Sequence, residues 1–337
     1  MSGSSSTTRS ITGWRNAVLI AFALGGITLA TWGPRLPSMR SDLGLDDAGL
    51  GLILAGVTVG SVGGLITSSP LLAMLGARRG IGGMLFLIAV GIALIGVSGG
   101  MLSNVPLVAF GFVVLGLGVG ALDVMINVEG AAVERAAGKT LMPLMHAAWS
   151  AGAIIGSGTG AICAALGIDY AWQFLGEAVA ITLISLVAVR YLPTLAPQTD
   201  EPSPPIRQRV RSWLRGWADL RLLMIGLVML GVELGENTAN NWLTLGARDG
   251  HGRPEAIAAL FFTVFAIGET VARVVGGPLA DRVGRVAAVR FTTALGVVGV
   301  LIFVLAEPSW LLLTGTVLWA VGVSMGFPLG MSAAAES

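Results

Sequence analysis

Ten separate apolar runs, each long enough to cross a lipid bilayer, limit this chain more than anything else in it. They lie at 16–36, 48–72, 80–99, 104–128, 141–166, 171–192, 220–245, 255–279, 286–306 and 309–331. A spanning helix needs about 20 mostly apolar residues, and in hydrocarbon a helix satisfies its backbone amides with its own carbonyls. Hydrophobic residues make up 54% and charged ones 12%, with a mean hydropathy of +0.83, whereas soluble domains carry about 25% charged residues. A soluble domain of 337 residues could not hide so much apolar surface. The expectation is an all-α integral membrane protein with about ten transmembrane helices. A net charge of +1 gives no case for nucleic acid. The single cysteine, Cys163, lies in an apolar run and excludes an internal disulfide. Residues 1–13 are polar and lack the apolar core and cleavage site of a signal peptide, so the first span serves as an uncleaved anchor.

The polar breaks are short except at 193–219. That segment holds Pro193, Pro197, Pro202, Pro204 and Pro205, then Arg207, Arg209, Arg211 and Arg215. Trp213 and Trp217 mark an amphipathic stretch on the membrane surface. With the N-terminus inside, fifteen of the 20 Lys and Arg face the cytoplasm and four (Arg35, Arg40, Arg248, Arg253) face outward. Arg273 is within a span. This bias fixes both termini as cytoplasmic. The expected organisation is a cytoplasmic tail at 1–15, a six-helix bundle at 16–192, a cytoplasmic linker at 193–219 and an incomplete four-helix bundle at 220–337.

A shift of 208 residues overlays spans two and three on spans eight and nine. Gly60 meets Gly268, Pro70 meets Pro278 and Gly76 meets Gly284. The second copy reads Gly277-Pro-Leu-Ala-Asp281-Arg282-Val-Gly284-Arg285, and the first keeps Arg78 and Arg79 but has Ala73 where Asp281 stands. This G-x-L-a-D-r-x-G-r motif after a second helix resembles the signature of the major facilitator superfamily. The stretch Gly118 to Arg135, with Asp123, Asn127 and Glu129, and the opening of span five, Leu141-Met-Pro143-Leu-Met-His146-Ala-Ala-Trp149, are similar to a fucose-permease-like bacterial subgroup. The resemblance covers residues 13–335. It implies two parallel six-helix pseudo-repeats moving a solute by alternating access, in a bacterial inner membrane. It also implies that spans eleven and twelve are missing. The Gly-Pro of the antiporter signature is absent from span five, so drug–proton antiport is not supported.

Ionisable groups inside a bilayer are costly and face a cavity or a partner. Span seven carries Glu233, Glu236, Asn237 and Asn240, which share a helix face, and ends at Trp242. The stripe lines a solute and proton path, or it hydrogen-bonds to neighbouring helices for packing alone. Two carboxylates close together resist joint ionisation, so one can carry a proton. Asp123 and Asn127, one turn apart on span four, are a protonation site or partners of Arg78, Arg79 or Arg135. Glu269 and Arg273 form an i, i+4 pair that cancels charge in lipid. His146, on span five, is a structural hydrogen-bonder or a proton relay. Glu177 is read as interfacial, because the resemblance makes span six a peripheral support helix. By the same resemblance, Asp281 secures a cytoplasmic gate near residues 139–143, with Gly277, Arg282, Gly284, Arg285, Arg78 and Arg79. The runs Gly116-Leu-Gly118-Val-Gly120 and Gly56, Gly60, Gly64 are helix-packing seams.

No metal-ligand spacing, nucleophile triad or cofactor motif occurs. The expected partners are lipid, a small solute and protons, and no enzyme activity is implied. Acids at Glu233, Glu236 and Asp123 favour proton-coupled movement of a small polar, sugar-like solute. The other reading is a non-transporting relic that senses a solute or binds a membrane partner, as the missing spans would favour.

Overall fold

The structure is a computed structural model in which residues 3–194 and 219–335 are described; most of the 193–219 linker lies outside them. The described residues are helical, with no strand. Nine stretches among them are long and apolar enough to cross a membrane. One of these, Ala48–Met101, has 54 residues, far more than one crossing needs. Its helix is broken at Gly76, where φ is 73° and ψ 168°. Two passes therefore read as one stretch, and the ten expected spans are accounted for.

The elements are α1 (Gly3–Ala30), α2 (Leu36–Asp42), α3 (Asp47–Gly96), α4 (Val105–Ala137), α5 (Met142–Ala165), α6 (Tyr170–Ala188), α7 (Leu220–Leu245), α8 (Glu255–Val283), α9 (Arg285–Leu305), α10 (Ser309–Val323) and α11 (Gly326–Ala334). The helix α1 starts ahead of residue 16, and its apolar stretch begins at Ile11. Aspartates open three helices by accepting from otherwise unpaired first-turn amides. Asp46 takes Gly49 N at 2.7 Å, Asp169 takes Ala171 N at 2.7 Å, and Asp219 takes Arg221 N at 2.8 Å. The hinge is repeated at Gly284, with φ 87° and ψ 146°. Both hinges lie six residues after a proline inside the helix, Pro70 and Pro278. A positive φ with extended ψ is a glycine conformation, so the repeated motif encodes a repeated turn.

The chain forms two compact units: Met1–Ala137 with Ala148–Pro197, and Gly138–Ala147 with Gln198–Ser337. In the first, α3 and α4 pack backbone to backbone. A Cβ at Gly60 would overlap the Val113 carbonyl oxygen, one at Gly64 that of Leu117, one at Gly116 that of Val57 and one at Gly120 that of Ser61. Small residues that let helices approach this closely drive association in lipid, where burial of apolar surface does not. The same device joins α1 to α5 through Gly152 and Gly156. Phe22, Phe112, Phe174 and Tyr170 are fully buried in this unit.

In the second unit, Phe261, Phe265, Phe303 and Trp319 form an aromatic core. Phe265 and Phe303 each lie 6.0 Å from Trp319 by ring centroids, within the range for favourable ring pairs. Gly299 and Gly315 let α9 and α10 touch. A furrow of about 510 Å³ runs between α7, α9 and α10, lined by residues such as Val228, Gly231, Gly296, Val300, Trp319 and Gly322.

Candidate functional site

Among the described residues the densest ionisable cluster is in the second unit, where α7 meets α8. Arg273 Nη2 lies 2.7 Å from Glu236 Oε2 and 2.7 Å from Glu269 Oε1. One guanidinium nitrogen thus donates a hydrogen bond to Glu236 of α7 and makes a charge contact, without a hydrogen bond, to Glu269 of its own helix. The side chains of Arg273, Glu269 and Glu236 are 7%, 9% and 16% exposed. Arg273 Nε also donates to Ser324 O at 3.4 Å, reaching the end of α10. Trp319 Nε1 donates to Gly235 O at 3.2 Å, which pins α7 one residue before Glu236.

With both carboxylates ionised the trio carries one surplus negative charge. Isolated charge is expensive in hydrocarbon. Uptake of one proton makes the trio neutral. The geometry therefore offers a proton-binding group with a fixed cation at its centre. The i, i+4 pair on α8 accounts for only two of the three members; Glu236 is the member that charge cancellation alone does not need.

The other sequence candidates fall around this cluster in different ways. His146 is buried, packs edge-on against Phe327 with ring centroids 5.2 Å apart, and lies within the field of Arg273. Glu233 is half-buried one turn before Glu236. Asn237 is exposed and donates to Glu233 O at 3.0 Å on its own helix. Asn240 and Trp242 are exposed as well. Of the α7 stripe, then, Glu236 joins the ion cluster, while Asn237, Asn240 and Trp242 lie on the helix surface.

The motif after α8 grips Thr140. Asp281 Oδ1 accepts from Thr140 N at 3.0 Å and from the Thr140 hydroxyl, just ahead of the first turn of α5. Gly277 lies one turn before Asp281, and a Cβ there would stand 2.6 Å from the Thr140 carbonyl oxygen. Glycine admits the backbone of residue 140, and the acid holds it. Carboxylates at helix N-termini gain from the amide dipoles. Arg282 is exposed and Arg285 half-buried, and Gly284 makes the turn into α9. Thr140 was not singled out from the sequence. A helix-start signal was available there, a threonine three residues before Pro143. Asp281→Ala is expected to lower stability by about 1–3 kcal/mol, since it leaves a partly buried amide and hydroxyl without an acceptor. Asp281→Asn keeps one acceptor oxygen and should cost less. Thermal melts in detergent read both.

In the first unit, the counterpart of that motif is used differently. Arg78 donates to the carbonyls of Arg190 at 2.5 Å and Leu192 at 2.9 Å. It thereby caps the end of the α6 segment, while Arg79 is exposed. Ala73, which has no carboxylate, makes no grip like that of Asp281. Asn127 Nδ2 donates to Asp123 Oδ1 at 3.1 Å and to Asp123 O at 2.8 Å. Glu129 and Glu134 are also buried on α4. Glu177 is not merely interfacial: Thr31 Oγ1, just past the end of α1, donates to its Oε1 at 2.7 Å. Among the described residues no group of three or more His, Cys, Asp or Glu could hold a metal ion.

The profile of the Major Facilitator Superfamily matches residues 18–337. An MFS-type transporter of Yersinia pestis is 26% identical over 315 residues, covering 94% of this chain and 78% of the relative. A transporter of Sinorhizobium fredii is 29% identical over 329 residues, covering 97% and 83%. Among solved structures, the E. coli fucose:proton symporter FucP aligns with a TM-score of 0.78 at 19% identity, covering 94% of this chain and 83% of that one. The proton:xylose symporter XylE aligns with a TM-score of 0.62 at 15% identity, covering 98% and 86%. The paired hinges, the glycine seams, the Gly277–Asp281 grip and the whole-length match lead to one conclusion: the chain belongs to the Major Facilitator Superfamily, multi-pass membrane transporters of small solutes.

Proposed function

We propose that this chain is a proton-coupled secondary carrier of a small, polar, sugar-like solute, working by alternating access. The observation that carries the reading is the trio Glu236–Arg273–Glu269, in which one buried guanidinium nitrogen meets two carboxylates at 2.7 Å each. Such a trio changes net charge by one on taking a proton, and the change is felt strongly where water is excluded. A carrier couples two fluxes when binding one ligand alters its affinity for the other. Proton binding here would free part of the Arg273 guanidinium for a solute hydroxyl. Glu236, on α7, is the mobile partner in this scheme, and Glu269, on Arg273's own helix, is the anchor. The sugar class is supported by the resemblance of 118–149 to fucose-permease-like carriers.

The test is transport by the purified chain in proteoliposomes, with radiolabelled fucose and xylose as probes. Glu236→Gln should abolish accumulation driven by a pH gradient and leave equilibrium exchange of the same sugar within about threefold of wild type. Normal accumulation in both Glu233→Gln and Glu236→Gln would make the stripe structural. The gate reading is tested alongside: Asp281→Asn should slow exchange and net transport together, because it acts on a conformational step and not on proton binding.

The proposed orientation has both termini in the cytoplasm of a bacterial inner membrane, following the positive-inside bias. In a Cys163→Ala background, Ser41→Cys should react with an impermeant thiol reagent in intact cells and Thr194→Cys should not. Labelling at residue 194 alone would invert the topology.

A further inference from the structure

We infer that Glu177 is held as the neutral carboxylic acid, closing a one-proton ring with the side-chain amide of Gln173, and that this pair is a proton-binding site of the first unit. The two residues lie one turn apart on α6. Gln173 Nε2 donates to Glu177 Oε1 at 3.1 Å and to Thr31 Oγ1 at 3.0 Å, and Thr31 Oγ1 donates to Glu177 Oε1 at 2.7 Å. The three polar atoms close a triangle: the amide nitrogen faces both Thr31 Oγ1 and Glu177 Oε1, and the single hydroxyl hydrogen is committed to Glu177. That fixes the amide orientation: turning it over would point its oxygen at the Thr31 oxygen and at a carboxylate oxygen, with only one hydrogen left among the three.

What remains is two buried oxygens, Glu177 Oε2 and Gln173 Oε1, neither with a hydrogen-bond partner. Gln173 is 6% exposed. Buried polar atoms without partners are rare and costly. Both orphans are acceptors, and each is attached to the same carbon as an atom already in the Gln173–Glu177 hydrogen bond. A proton taken from water onto Glu177 Oε2 supplies the one missing donor and can satisfy both at once. The result is an acid–amide ring, with Nε2–H on Oε1 of the acid and Oε2–H on Oε1 of the amide.

The surrounding charges leave room for this. Among the described residues Arg35, from the short turn after α1, is the charge that acts on Glu177. Its Nη2 donates to Ile168 O and does not ion-pair with the carboxyl. Asp169 and Tyr170 stand at the start of α6, and Asp169 is occupied in capping that helix. The site shares no residue with the Arg273 trio and does not depend on the role proposed for it.

The test is infrared spectroscopy of the whole purified chain at neutral pH, recorded in H₂O and D₂O, as the difference between wild type and Glu177→Gln. The expected result is loss in the variant of one carboxylic-acid carbonyl band that shifts on deuteration. Loss of carboxylate stretching bands instead would overturn the inference. Gln173→Leu reads the same group without touching it: the acid band should move toward the position of an unbonded acid or convert to carboxylate bands. An acid band that Gln173→Leu leaves in place would remove the ring.

Discussion

Replacing Arg273 by alanine is expected to leave a protein that does not survive extraction and purification. The substitution removes the cation from between Glu236 and Glu269 and strands two carboxylates in a site less than a fifth exposed. Breaking a buried ion pair from one side costs about 3–5 kcal/mol, and here two acids lose the same partner. Against a total stability of about 5–15 kcal/mol, that is a large share. The sign of the companion variants follows from the charge count. Glu269→Gln removes the surplus negative charge and should melt within about 1 kcal/mol of wild type, in the range of a modest change in one hydrogen bond. Arg273→Gln combined with Glu236→Gln and Glu269→Gln removes every charge and should recover most of the loss. Lowering the pH should partly rescue Arg273→Ala, because protonated carboxyls no longer repel. The yield of monodisperse protein after extraction ranks the four proteins, and melting curves in detergent rank those that survive it. An Arg273→Ala protein as stable as wild type would mean that the trio is not closed in the membrane.

The second large effect is expected at Gly60. A Cβ there would overlap the carbonyl oxygen of Val113 and stand 2.7 Å from the amide nitrogen of Leu117. Both obstacles are backbone, so no side chain can turn aside, and α3 and α4 must separate. Overpacking alone costs about 1–3 kcal/mol, and separation also loses the neighbouring contacts at Gly64, Gly116 and Gly120. Gly60→Leu should abolish the monodisperse peak in size-exclusion chromatography. Gly63→Ala is the control on the same helix, since its Cβ would meet only the Leu117 side chain, at 3.8 Å. It should run and melt as wild type.

How legible the molecule was from its residues depended on distance along the chain. Span lengths, the Pro70–Gly76 and Pro278–Gly284 hinges and the spacing of Gly56, Gly60 and Gly64 are local facts, set by bilayer thickness, by φ and by helix periodicity. Each could be read directly. The partners of buried polar groups could not, because packing and not spacing chooses them. Arg273 was legible as half of an i, i+4 pair, but its bond to Glu236 joins positions 37 apart. Arg78 looked like part of the gate motif, yet its hydrogen bonds go to carbonyls more than 100 positions away. The family's helix plan puts Glu177 at an interface, and that plan cannot see a bond to Thr31 across 146 positions. Span-seven amides at Asn237 and Asn240 passed the periodicity test equally well, but periodicity says only that residues share a face, not which end of it meets another helix.

Proton movement coupled to sugar is the most direct measure of the proposed function. The chain is reconstituted into vesicles holding a trapped pH dye, with no imposed pH gradient, and a panel of neutral monosaccharides including fucose and xylose is added outside. At least one sugar is expected to acidify the lumen, an ionophore carrying protons to cancel the signal, and Glu236→Gln to abolish it in protein that still exchanges the sugar. Sugar entry without acidification, equal acidification by Glu236→Gln, or no response to any monosaccharide would contradict the proposed function.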